Sequence, residues 1–240
     1  NRNIDNTDSG EQRQFNSFNG AAGIKTDIAK NLTARVNLAS GFRAPNLAEL
    51  TVDGVHEGTN RYEKGNFDLK IEQNFQTDVA LEYKNKHIEF FANGFYNKIN
   101  DYIFIAPNGQ TIDGNDVYVY SQNNANLYGG EAGFHLHPHP LDWLHIESSF
   151  ETVTGKLTSD AYLPLIPANS INNTLRVEFE KPWLKQGYAF VTLKSTFNQN
   201  NTGAFETPTN GYNLLSAGFG GSFKLFNNEA IVSVSGTNLT

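Results

Sequence analysis

The chain has no cysteine, which excludes a disulfide framework, a thiolate metal site and a cysteine nucleophile together. It also has no methionine and no basic-then-apolar leader, and so reads as mature or excised sequence. No run of about 18 apolar residues occurs, so no transmembrane helix is encoded. Lysine and arginine number 18 against 25 acidic residues, a net charge of -7, and they form no block, which argues against nucleic acid as a partner. Gly-x-Ser-x-Gly, His-Glu-x-x-His and phosphate-loop signatures are missing as well, so neither catalytic residues nor a cofactor are expected. The acidic pairs Asp78/Glu82 and Glu178/Glu180 recur at period two, which is the pattern of a hydrated wall and not of a general-acid dyad.

What the chain does have is aromatics, 18 Phe and 10 Tyr, in a pattern of period two. Phe75, Thr77, Val79, Leu81 and Tyr83 alternate with Gln76, Asp78, Ala80 and Glu82, giving one apolar and one polar face. The contrast returns in Ala132, Phe134 and Leu136; in Ile171, Leu175, Val177 and Phe179; and in Leu215, Ala217, Phe219, Phe223 and Leu225. It predicts about ten strands, near 15–27, 31–42, 73–84, 87–99, 126–138, 142–154, 170–181, 187–198, 212–225 and 229–238. Most are longer than the usual ~5–6 residues and long enough for a tilted strand to cross a bilayer. A mean hydropathy of -0.47 is no objection, because alternating strands average out in any window.

The connections alternate strictly between short ("IAKN", "KNKH", "PHPLD", "WLKQG", "LFNNE") and long ones. The long ones are residues 41–72, "NDYIFIAPNGQTIDGNDVYVYSQNN", "GKLTSDAYLPLIPAN" and "QNNTGAFETPTNG", and the opening "NRNIDNTDSGEQRQ" fits the tail of a further long loop. This asymmetry is that of an all-β, antiparallel transmembrane barrel with short periplasmic turns and long extracellular loops.

"GFRAPNLAEL", "GVHEGTNRYEKGNFDLKIEQNFQTDVALEY", "FANGFYNKINDYIFI", "NNANLYGGEAGFHLHP", "YLPLIPAN" and "SVSGTNLT" together resemble the barrel of TonB-dependent outer-membrane receptors, especially forms common in the Bacteroidetes. The resemblance covers nearly all 240 residues; "LKIEQ" and "GNFDL" depart from the family's Pro-containing versions. It implies that residues 1–240 are about ten strands of a barrel of about 22, with the plug domain and the final strand outside this chain. It implies a bacterial outer-membrane location, with lipid, the receptor's own plug, the TonB complex and a small-molecule or metal-complex ligand as partners. The implied function is import of a scarce nutrient, a siderophore, metal or similar, bound at the extracellular loops. A passive porin-like or adhesive, carbohydrate-binding β-protein is the alternative.

Candidate site residues concentrate in 41–72. Phe42, Pro45 and Glu49 are expected to anchor the loop, since Pro45 ends ladder pairing and Arg43 is able to bond Glu49. Arg43, Arg61 and Tyr62 are ligand-binding candidates; His56 and Glu57 are candidates for ligand or metal contact, although neighbours in a strand point apart. In "FHLHPHPLDWLHIE", His135 and His145 are expected roughly opposite each other with Glu147 nearby, as polar histidines of the rim or, less simply, as cation ligands. Trp143 and Trp183 read as membrane-interface aromatics.

Overall fold

The computed structural model describes residues 2–6, 11–226 and 228–240. Ten strands make one antiparallel wall: β3 (Gly20–Ala29), β4 (Leu32–Arg43), β7 (Glu72–Lys84), β8 (Ile88–Ile112), β9 (Asn115–Leu136), β10 (Leu144–Leu157), β11 (Ser170–Lys181), β12 (Leu184–Thr196), β13 (Tyr212–Leu225) and β14 (Asn228–Gly236). Each pairs with its neighbours in chain order, an up-and-down meander. The excursion between β4 and β7 holds α1 (Leu47–Thr51), β5 (Asp53–His56) and β6 (Arg61–Lys64), and a separate hairpin, β1 (Arg2–Asn6) and β2 (Glu11–Phe15), precedes the wall.

Register carries the sequence alternation across the sheet. Val36 stands opposite Val79, and Leu38 opposite Thr77, while Asn37 stands opposite Asp78 on the other face. The apolar face is bare: Ile24, Val36, Leu38, Val79, Leu81, Phe90, Leu175, Val191 and Phe219 are all exposed. Among the described residues no second layer covers it. The buried apolar residues instead cluster at the long-loop end, where Phe15, Leu50, Leu69 and Ile103 form one core with Phe67, Ile71 and Tyr120 against it. A single-layer wall whose apolar side meets no protein needs an apolar solvent, and lipid is that solvent.

Three expectations are corrected. The first wall strand begins at Gly20, because Phe15 ends β2 and packs in the loop core. Residues 1 and 7–10 of the opening segment, and 227 in "LFNNE", lie outside the described residues. The stretch 100–124, expected to be an irregular loop, is largely a ribbon continuing β8 and β9. Its tip is the two-residue turn Asp113–Gly114, with φ of 50° and 81°, the left-handed pair that a type I′ hairpin demands. Residues 41–72, expected to be irregular, hold a capped turn of helix and a hairpin.

Candidate functional site

The base of the 41–72 excursion is a three-way charge node. Arg43, the last residue of β4, donates from Nη1 to both carboxylate oxygens of Glu49, at 2.7 and 2.9 Å, and from Nε to Glu72. Glu72 also accepts the Ile103 N–H at 3.2 Å, tying the node to the ribbon. Glu49 serves a second purpose. Asn46 caps α1 by accepting the Glu49 N–H at 2.8 Å, and the Glu49 carboxylate returns the bond to the Asn46 N–H at 2.8 Å. This capping box is worth about 1 kcal/mol, which matters for a helix of a single turn. Pro45 is fully buried, whereas Phe42 is exposed. Gly65 passes so close to the helix end that a Cβ there would sit 2.6 Å from the Leu50 carbonyl carbon, so only glycine fits.

Above the base, β5 and β6 form a hairpin whose second strand lies parallel to β9, pairing Tyr62 with Val117 and Lys64 with Val119. That edge of β9 rises beyond the end of β10 and would otherwise be unpaired. Arg61 bonds Glu63 at 2.8 Å and stands 5.1 Å from the Tyr118 ring centroid, in cation–π geometry. Tyr118 meets Phe205 edge-on at 5.7 Å, bringing a third loop to the same place. Tyr120 donates to Glu63 at 3.4 Å; its phenol is held above the ordinary range by burial and by the Glu63 and Glu49 charges. Tyr62 donates to Asp53 at 2.8 Å, a bond that raises its pKa. His56 is exposed and its Nδ1 faces the Thr59 hydroxyl at 3.2 Å; Glu57 is exposed in the adjoining turn.

Arg61 and Tyr62 are therefore engaged with acids and aromatics at the loop surface, Arg43 is engaged below them, and His56 and Glu57 stand apart at a hairpin tip. Glu63, Tyr118, Tyr120 and Phe205 were not singled out in the sequence. For the tyrosines a signal existed: "DGNDVYVY" is a turn followed by alternation, which aims Tyr118 and Tyr120 to one face.

Two further loops are stitched together nearby. Gln199 donates to the Ile166 carbonyl at 2.6 Å, and Glu206 accepts the N–H groups of Leu165 and Gly203 at 2.6 and 2.8 Å. Pro167 and Ala168 lean over the polar face of the wall, where a cleft of about 550 Å³ is lined by Arg35, Asn37, Asp78, Asn93, Glu131 and Glu151. Glu131 and Glu151 stand directly opposite each other, and Glu151 is stabilised by the Ser170 hydroxyl at 2.5 Å and by Lys194 at 3.5 Å. The cleft suits a hydrated, charged guest.

At the short-turn end, Trp143 and Trp183 are exposed. Register places Glu147 directly opposite His135, with His145 two residues along β10 on the same face, its Nδ1 2.9 Å from His135 Nε2. His137 is kept below the usual imidazole range by burial and by the neighbouring His135 and His145 rings.

Residues 1–239 match the protein family described as TonB dependent receptor-like, beta-barrel. The chain is 24% identical over 176 residues to the ferrienterobactin receptor of Escherichia coli (strain K12), a stretch covering 67% of this chain and 23% of that receptor. Among solved structures it superimposes on the copper transporter OprC with a TM-score of 0.76 at 19% identity, covering 92% of this chain and 33% of that one. It superimposes on the FrpB iron transporter from Neisseria meningitidis with a TM-score of 0.67 at 12% identity, covering 96% and 36%. The chain thus spans about a quarter to a third of the length of these relatives.

Proposed function

The chain belongs to the TonB-dependent receptor β-barrel family, and from that premise we propose that it is part of an outer-membrane importer whose long loops capture a scarce nutrient. The supporting observation is the division of the wall into a bare apolar face and a polar face roofed at one end by interlocked loops. Relatives named for ferric enterobactin, iron and copper make a metal or a metal chelate the leading class of cargo. The loop surface suits a chelate with aromatic or anionic groups, because Arg61, Tyr62, Tyr118 and Tyr120 offer a cation, hydroxyls and ring faces. The plug domain and the TonB complex are the proposed partners that complete the import cycle, and lipid is the partner of the apolar face. Trp143 and Trp183, exposed at the short-turn end, act as interface anchors.

The test replaces residues 44–71 of the whole receptor with a short Gly-Ser connection, leaving Arg43 and Glu72 in the wall. A receptor knockout carrying this variant is grown on ferric enterobactin and on single iron, zinc or copper sources. Barrel assembly is expected to survive, read as heat-modifiable migration on a gel, while growth on the receptor's cargo is lost. Growth equal to that with the intact receptor refutes the loop's role, and constitutive ion conduction by the intact receptor favours the passive-pore reading.

A further inference from the structure

Five of the six histidines, His87, His135, His137, His139 and His145, gather at the short-turn rim, the end of the wall opposite the loop cap. His135 and His137 are alternate residues along one strand direction and so share a face, and β10 brings His145 onto it. One ring nitrogen from each of these three lies within 4.8 Å of the other two. Among the described residues no other group of three His, Asp or Glu side chains meets that spacing.

Neutral imidazoles, two of them sharing an N–H···N hydrogen bond, account for the gathering but leave His145 Nε2 without a partner. His135 Nε2 and His145 Nδ1 are 2.9 Å apart. Two nitrogens bound to one cation at ~2.1 Å stand about 3.0 Å apart at a right angle and about 3.4 Å apart at the tetrahedral angle, so this pair is already at ligand spacing. The far nitrogen, His145 Nε2, is buried without a hydrogen-bond partner, and the nearest acceptor, a Glu178 carboxylate oxygen, is 3.6 Å away. Glu147 lies 3.6 Å from His135 Nε2. Arg176 bonds Glu178 at 3.0 Å and Lys84 bonds Glu89 at 2.6 Å, whereas Glu147 has no Lys or Arg partner among the described residues.

The geometry points to a trihistidine site, His135, His137 and His145, for a divalent first-row transition cation such as zinc, copper or nickel, on the polar face at the short-turn rim. Imidazole nitrogens select such cations over magnesium and calcium. The hydrogen shared by His135 and His145 does not have to leave. With that hydrogen on His145 Nδ1 and His135 protonated at Nδ1, it moves to His145 Nε2 and both facing nitrogens are freed; His145 Nε2 then donates to Glu178, the carboxylate–histidine–metal arrangement that orients a ligating ring. Three nitrogens leave a fourth position for water or for Glu147. The site is remote from the loops, and its occupancy is independent of what the loops capture.

The whole receptor, purified in detergent, is titrated with Cu²⁺ followed by electron paramagnetic resonance, and with Zn²⁺ and Ni²⁺ by calorimetry. One equivalent of Cu²⁺ with nitrogen hyperfine structure is expected. His137→Ala and His145→Ala each weaken binding at least tenfold, Glu178→Gln weakens it by about 10-fold, and His139→Ala, at the same rim but outside the triad, leaves it unchanged. His137→Gln and His145→Gln serve if an alanine variant loses heat-modifiable migration. Absence of binding below the millimolar range for all three metals overturns the site. So does unaltered binding in the His135/His137/His145 triple variant, or an equal loss in His139→Ala, which would mean diffuse rim binding.

Discussion

Leu69→Ala in the whole receptor should release the 41–72 excursion while leaving the wall intact. Leu69 is 1% exposed, in the small core with Phe15, Leu50 and Ile103 that joins the excursion to the ribbon. Removing a buried leucine side chain costs about 2–5 kcal/mol, the upper part of that range applying where the site cannot collapse. Here the helix turn is pinned by the Arg43 node and the ribbon by its ladder, so neither side closes readily on the cavity. A cost of about 3 kcal/mol raises the undocked population by roughly 10²-fold. If docking and undocking are fast, amide exchange and protease cleavage within 44–71 accelerate by the same factor. Leu47→Ala is the control, since Leu47 lies on the same helix turn, is 51% exposed and should change the rate little. Equal cleavage rates in the two variants would refute the idea that this core latches the loop; loss of heat-modifiable migration in Leu69→Ala would refute the separation of loop from wall.

The bare face of the sheet makes a sharper contrast between neighbours. Val79→Lys should destabilise membrane-inserted barrel by about 2–4 kcal/mol, measured by folding into vesicles over a denaturant series, whereas Asp78→Lys on the opposite face should fold nearly as the parent does. Gly114→Val should strain the ribbon tip by about 1–2 kcal/mol, because Gly114 holds φ of 81° and a β-branched residue resists that conformation; nicking by protease near 111–116 should rise, and an unchanged pattern would mean the tip does not need its turn.

The wall was legible in the sequence because its physics is local. A strand with lipid on one side and water on the other writes its two faces into alternate residues, so β7 and β11 were bounded to within a residue. The ribbon was missed for a related reason. Beyond the membrane both faces of 100–124 meet water or loops, the apolar contrast weakens, and Gly109 and Pro107 read as loop even though Asp113–Gly114 marked a hairpin. Arg43 and Glu49 were paired in advance because six residues separate them, but Glu72, Tyr118 and Tyr120 joined through contacts more than twenty residues distant, which alternation does not encode. The histidine triad lay between the two cases: the meeting of His135 and His145 on one face follows from the turn, but the two-residue offset that sets Glu147 directly opposite His135 and draws His137 into the group does not.

The short parallel seam between β6 and β9 has a bearing on how such a receptor changes its diet. Main-chain hydrogen bonds are indifferent to which side chains hang beside them, and here they join the two largest outward excursions into one frame. Under the proposed function, in which Arg61 and Tyr62 meet the cargo, these side chains are exchangeable decoration on a fixed trellis, and a new cargo would be fitted by swapping ornaments without redesigning the support.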